Sequence, residues 1–187
     1  MRSQDYPSQI VAVVDAAAEH QKTGDIDKAI ACYEDALQNL EMELDEYDPS
    51  LARIYEELSS LYEEKEDFTN AIKYLEKLSG CIQDSEGEFS EEAALSFIHL
   101  AELYNMNDDV ASAELNYEKA LRNYTNAKGP KNENLPQVYF ELGSIYAERG
   151  EKNKAKEYFE KAYADSVEID GEDNEITQFI KERQNQC

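Results

Sequence analysis

The chain has 187 residues, 41% of them hydrophobic and 32% charged, with only 7 Gly and 4 Pro, which excludes a disordered or fibrous polymer and fits a helix-rich domain. A formal net charge of −24, from 42 acidic against 18 basic residues, repels nucleic-acid phosphates and anionic membrane surfaces. Basic partners, or solubility alone, are what such a field favours.

Four copies of one pattern run along the chain. The anchors Ala29, Ala71, Ala113 and Ala155 are each separated by 42 residues. Nine residues before them stand His20, Tyr62, Tyr104 and Tyr146; four after them stand Tyr33, Leu75, Tyr117 and Phe159. Ala36, Leu78, Ala120 and Ala162 follow three further on. A fixed period of this length is the mark of a repeat architecture.

The first unit, about residues 10–51, opens on "IVAVVDAAA", too short and too interrupted by Asp15 to span a membrane and lacking the basic flank of a signal peptide. Units follow at 52–93, 94–135 and 136–177, and each reads as two helices. In the second unit Ile54, Tyr55, Leu58, Leu61 and Tyr62 recur at helical spacing, then Phe68, Ala71, Ile72, Leu75 and Leu78. The breaks are short: "TGD", "KED", "NDD" and "RGE". Gly24 and Gly150 suit the left-handed residue that ends a helix, and the acidic residues after them suit the next N-terminus. Asp48-Pro49 is a further start, with Asp as cap and Pro at the first helical position. Gly87, Gly129 and Gly171 keep the same register between units, with Asp45 in the first. Ala17, Ser59, Ala101 and Gly143 share one position on the first helix, where the paired helices are expected to cross closely. After the fourth unit, Ile176, Phe179 and Ile180 at i, i+3 and i+4 predict a capping helix over about 174–185 that covers the last hairpin.

In the fourth unit Tyr139, Leu142-Gly143, Tyr146, Ala155, Phe159 and Ala162 stand in an order that resembles the tetratricopeptide repeat, and the resemblance spans residues 10 to about 177. The 42-residue unit is similar to the repeats of kinesin light chains and of Leu-Gly-Asn-type adaptors, most clearly over 129–150. The resemblance implies an all-α fold, a right-handed superhelical α-α solenoid of four hairpins plus the C-terminal capping helix, in a single domain over 1–187.

Chemistry is hard to find. His20 occupies a packing position and His99 lies on another helix; neither is spaced for catalysis or metal binding. Cys32, Cys81 and Cys187 form no metal pair and no prenylation signal. "DSEGEFSEE" and "DGEDNE" lack the order of a calcium loop, and no phosphate-cradling Gly-rich loop occurs. No enzyme activity, cofactor or metal is expected, and the cytoplasm is the expected compartment.

The resemblance places ligand contacts on the first helices, which line a concave groove. In this sequence the positions give Val14 (with Val11, Ala18, Gln21 and Lys22) in the first unit. The second gives Arg53, Glu56, Ser60, Glu63 and Glu64, and the third Leu95, Ile98, Glu102, Asn105 and Met106. The fourth gives Gln137, Phe140, Ser144 and Glu148 (with Ala147). Where chaperone adaptors of the family carry Lys and Asn to clamp a C-terminal carboxylate, this chain has Val14, Ala18, Glu56, Ser60, Ile98, Glu102, Phe140 and Ser144, which disfavours such a clamp. The expected partner is a peptide or amphipathic helix carrying basic and apolar residues, with no nucleic acid and no membrane insertion. The alternative is a structural or regulatory domain that self-associates or docks on a larger assembly without a peptide ligand; the oligomeric state stays open.

Overall fold

The computed structural model describes residues 8–42, 44–128 and 132–186, and everything below concerns these. Its helices are α1 (Ser8–Lys22), α2 (Ile26–Leu40), a 3-10 turn (Pro49–Leu51), α3 (Ala52–Glu64) and α4 (Phe68–Glu86), then α5 (Glu91–Met106), α6 (Val110–Lys128), α7 (Leu135–Glu148), α8 (Lys152–Asp170) and α9 (Glu175–Gln186). The fold is an all-α helical repeat, and no strand occurs among the described residues. Packing groups the chain into two compact units, Met1–Gly87 and Glu88–Cys187. The first holds the hairpins α1–α2 and α3–α4; the second holds α5–α6, α7–α8 and the single helix α9.

The hairpin turns follow the local chemistry. Gly24 and Gly150 take φ of 76° and 75°, the left-handed conformation expected of them. At the equivalent turns of the other two hairpins stand Glu66 (φ 59°) and Asp108 (φ 60°), which carry a side chain through the same strained region. Glu66→Gly is therefore expected to raise the melting temperature, with a gain of up to about 1 kcal/mol. Thermal unfolding followed by circular dichroism checks this. α4, α5 and α6 then start on side-chain caps, whereas Asp25 before α2 and Glu151 before α8 make no such bond. The Asp67 carboxylate accepts from the Asn70 N–H at 3.2 Å, Asp109 accepts from Ser112 N–H at 3.1 Å, and Ser90 accepts from Ala93 N–H at 3.1 Å. Asp48 accepts from Ser50 N–H at 2.8 Å with Pro49 at the first position, as the sequence predicts, although the segment begins as a 3-10 turn. Gly87 and Gly171 close α4 and α8; Gly129 lies outside the described residues.

The shared small position does bring the helices together. Ala17, Ser59, Ala101 and Gly143 are all buried. A Cβ on Gly143 would stand 2.9 Å from the Phe159 ring, and Ser59 Oγ donates to the Ala71 carbonyl at 3.0 Å across the same crossing. A second close approach, of Tyr47 to Gly80, recurs at the same period in different residue types: 42 residues on, Phe89 and Arg122 hold the two positions, with the guanidinium 5.2 Å from the ring centroid. The Tyr47 ring lies flat on α4 where Gly80 has no side chain, and a Cβ there would fall 2.3 Å from the ring.

Tyrosines tie neighbouring hairpins together, with the ring pattern recurring after 84 residues. In the first unit Tyr74 stacks between Tyr55 and Tyr62, with centroids 6.4 and 5.7 Å apart. The hydroxyls of Tyr62 and Tyr74 both donate to Glu34 of α2, at 2.7 and 3.0 Å. In the second unit Tyr158 stacks with Tyr146 at 5.4 Å and meets Tyr139 tilted at 6.2 Å, and Tyr146 donates to Glu114 of α6 at 2.6 Å. Burial, reinforced by Glu34, pushes the Tyr62 phenol up to about 12, so it stays a donor through the physiological range.

α9 packs on α8 in the register of a fifth first helix. Thr177 and Ile180 are buried, matching Leu135 and Val138 earlier by 42 residues, and Thr177 Oγ1 shares a 2.7 Å hydrogen bond with Ser166. The covering face therefore differs from the apolar triad expected. Ile176 is 63% exposed and Phe179 53% exposed, because the buried stripe runs through Thr177 and Ile180 instead.

Candidate peptide-binding faces of the first helices

In the first unit the faces of α1 and α3 meet the end of α4 around an open depression of about 600 Å³. Val14, Ala52, Leu78 and Ile82 give it an apolar floor, and Arg53 and Glu56 stand at its edge. Val14 is half-buried against the core; Glu56, Ser60 and Glu64 are exposed and Glu63 is half-buried. Arg53 is exposed but engaged: it pairs with Glu56 at 3.6 Å and, more closely, with the half-buried Glu57. Gln21 Nε2 also donates to Glu57, at 3.3 Å.

In the second unit Leu95 and Met106 are 49% and 55% exposed on α5, with Glu102 exposed between them in sequence. Gln137 of α7 donates to Glu102 at 3.4 Å, which joins the two first helices. Phe140 is half-buried, with its ring 5.5 Å from Phe159 beneath it and 5.5 Å from Phe179 of α9 beside it. Ser144 spends its hydroxyl on its own helix, donating to the Phe140 carbonyl at 3.0 Å, and Glu148 is exposed. Asn105 is half-buried and hydrogen-bonds Tyr117 of α6. Ile98 departs from the expected groove surface: it is 6% exposed. α5 buries eight residues on several faces, so the position that is open on α3 is enclosed here.

Two residues absent from the sequence-based set belong to this face. Phe179 extends it onto α9, and the register of a fifth first helix is the signal that could have found it. Glu141, next to Phe140, is a half-buried carboxylate pushed above the usual range by burial and by the charges of Glu102 and Glu148. Tyr117 is pushed far up by burial and by Glu141 and Glu102. Among the described residues no three His, Cys, Asp or Glu side chains are placed to hold a metal ion, and no helix is long and apolar enough to cross a membrane.

Helical hairpins repeated at constant period, each offering its first helix to solvent, define a protein–protein interaction scaffold of the helical-repeat class. The chain belongs to the tetratricopeptide repeat family, whose model matches residues 12–80 and 90–165. A computed comparison with solved structures finds the same fold in several proteins. One is BtubC (BKLC) from P. vanneervenii, at 23% identity over 96% of this chain and 71% of that chain, TM-score 0.69. Another is a variant of a Podosopora anserina putative kinesin light chain with nearly identical TPR-like repeats, at 19% identity over 98% and 88%, TM-score 0.73. MamA is similar at 19% identity over 94% and 90%, TM-score 0.58. No curated protein sequence matches.

Proposed function

We infer that this chain is an adaptor that binds a partner segment carrying both apolar and basic side chains on its first-helix faces. One observation carries the reading: on α5 of the second unit the large apolar side chains of Leu95 and Met106 are exposed, and the other exposed residues of that helix, Glu92 and Glu102, are carboxylates. Exposed apolar side chains grouped on one face are a mark of contact surfaces. The carboxylates select positive charge and raise the association rate with a basic partner. On the first unit, Glu56 plays that part at the edge of the Val14 depression, with Glu63 and Glu64 further along α3. Catalysis has no place in this reading, because binding is the whole activity.

The variant Glu56→Lys with Glu63→Lys is expected to weaken capture of the partner by about tenfold or more while leaving helicity and melting nearly unchanged. Affinity capture with the wild-type chain and the variant side by side checks it; equal recovery of the same partner would remove the first-unit face from the proposal. The competing reading is self-association, favoured by the exposure of Ile176 and Phe179 on α9. Light scattering over a concentration series separates the two, since an adaptor of this kind stays monomeric throughout.

A further inference from the structure

The geometry assigns to Glu141 the role of receptor for a lysine or arginine side chain of the bound segment, a role that rests on the adaptor reading above. The argument comes from comparing the two units of the chain itself. Glu57 and Glu141 are equivalent positions 84 residues apart, each half-buried on the first helix of the second hairpin in its unit. Each lies beside an equivalent buried tyrosine, Tyr33 or Tyr117.

The surroundings of the two carboxylates are opposite. Glu57 has an arginine one turn earlier, Arg53, and pairs with it; it also accepts from Gln21. At the equivalents of these two donors the second unit has Gln137 and Asn105. Gln137 turns to Glu102 instead, and Asn105 to Tyr117. The position of Ala18 is taken by Glu102, so a further negative charge is added where the positive one is lost. Around Glu141 are then Glu102 from α5, Tyr117 from α6, and Glu148 from its own helix. None of these carries positive charge.

A half-buried carboxylate facing like charges is unfavourable in the free protein, and a cation placed beside it removes that penalty. In the first unit the chain supplies the cation from within. In the second, the missing arginine is the feature a ligand can supply, with the aliphatic part of its side chain lying along Phe140 and the apolar face. A metal ion does not fit the place, since no three ligands converge there. The sign of the pH effect follows. Glu141 titrates above its unfolded value in the free protein, and a bound cation lowers it again. Binding therefore releases protons over the range in which Glu141 titrates, and affinity falls as pH falls through that range.

The test uses a short amphipathic helical peptide built of leucine, glutamine and arginine, and a twin with glutamine at every arginine. Wild-type protein is expected to bind the arginine peptide about tenfold tighter than the twin. Glu141→Gln removes the receptor and Gln137→Arg supplies the cation from within, so both are expected to cut the preference to about threefold or less, the remainder being the long-range attraction of the other carboxylates. Carboxyl NMR should show Glu141 titrating at lower pH in Gln137→Arg than in wild type. An undiminished tenfold preference in both variants, or twins that bind wild type equally, overturns the role of Glu141 while the adaptor reading stands. If neither peptide binds, both fall together.

Discussion

Gly143→Leu is expected to destabilise the fourth hairpin by about 3 kcal/mol or more. Even one added carbon would stand 2.9 Å from the Phe159 ring, and Phe159 is 1% exposed with no room to retreat. Overpacking a well-filled core costs about 1–3 kcal/mol for a few added methylenes, and leucine brings four carbons. Against this, leaving glycine returns about 1 kcal/mol of helix propensity, which does not offset the clash. Phe159→Ala alone is expected to cost about 3–5 kcal/mol by leaving a cavity. The double variant should be less destabilised than the sum, because the new leucine fills the space the ring vacates. Denaturant unfolding of the three variants measures this. Strict additivity would mean that residue 143 and the ring do not meet.

The second large effect is Glu34→Ala, expected to cost about 2–3 kcal/mol, well beyond what an exposed glutamate contributes. Glu34 accepts from two phenols, and Tyr74 is 4% exposed, so its hydroxyl is left buried without an acceptor. Removing one partner of a buried hydrogen bond costs the desolvation of the other, about 1–3 kcal/mol, and more where a charge is involved. Tyr62→Phe, which removes one donor and keeps both rings stacked, should cost less than Glu34→Ala. The second unit makes the same kind of link at Glu114, with a definite pH signature. Burial raises the Glu114 carboxyl, but the Tyr146 and Arg149 hydrogen bonds outweigh it and hold the group below its ordinary value. Its contribution is thus present above the unfolded value and lost as pH falls through the folded one. Glu141 works in the opposite direction, opposing stability at neutral pH and ceasing to do so once protonated.

The repeat made most of the fold readable. A period of 42 residues carries the helix pairs, the turns and the small crossing position with it, because each follows from spacing and local backbone chemistry. Gly143 is the clearest case: a costly residue inside a helix is intelligible only as a close approach, and the Phe159 ring is what approaches. Departures occur where burial depends on what surrounds a position instead of on its phase. Ile98 has the phase of a groove residue but is enclosed. On α9 the apolar triad pointed to Ile176, whereas the register selects Thr177, a polar residue that Ser166 makes acceptable in the interior. Tyr47 on Gly80 joins a loop to a helix, and Phe89 beside Arg122 repeats it 42 residues on, so the place of the contact is periodic while its residue types are not.

The candidate site was legible as a set of helix faces and not as a pattern of charge compensation. In the fourth unit the family resemblance marks Gln137, Phe140, Ser144 and Glu148 and passes over Glu141. Its significance appears only beside Glu57, when Gln137 is seen in the place of Arg53. That comparison was open in the sequence, but it needed the knowledge that both carboxylates are half-buried.

The central claim is that the first-helix faces are the ligand surface. Side-chain NMR of the protein titrated with the leucine–arginine peptide tests it most directly. Shifts are expected at Leu95, Met106, Phe140 and Phe179, with Leu115 and Ile169 on the second helices unmoved. Shifts confined to Leu115 and Ile169 would contradict it.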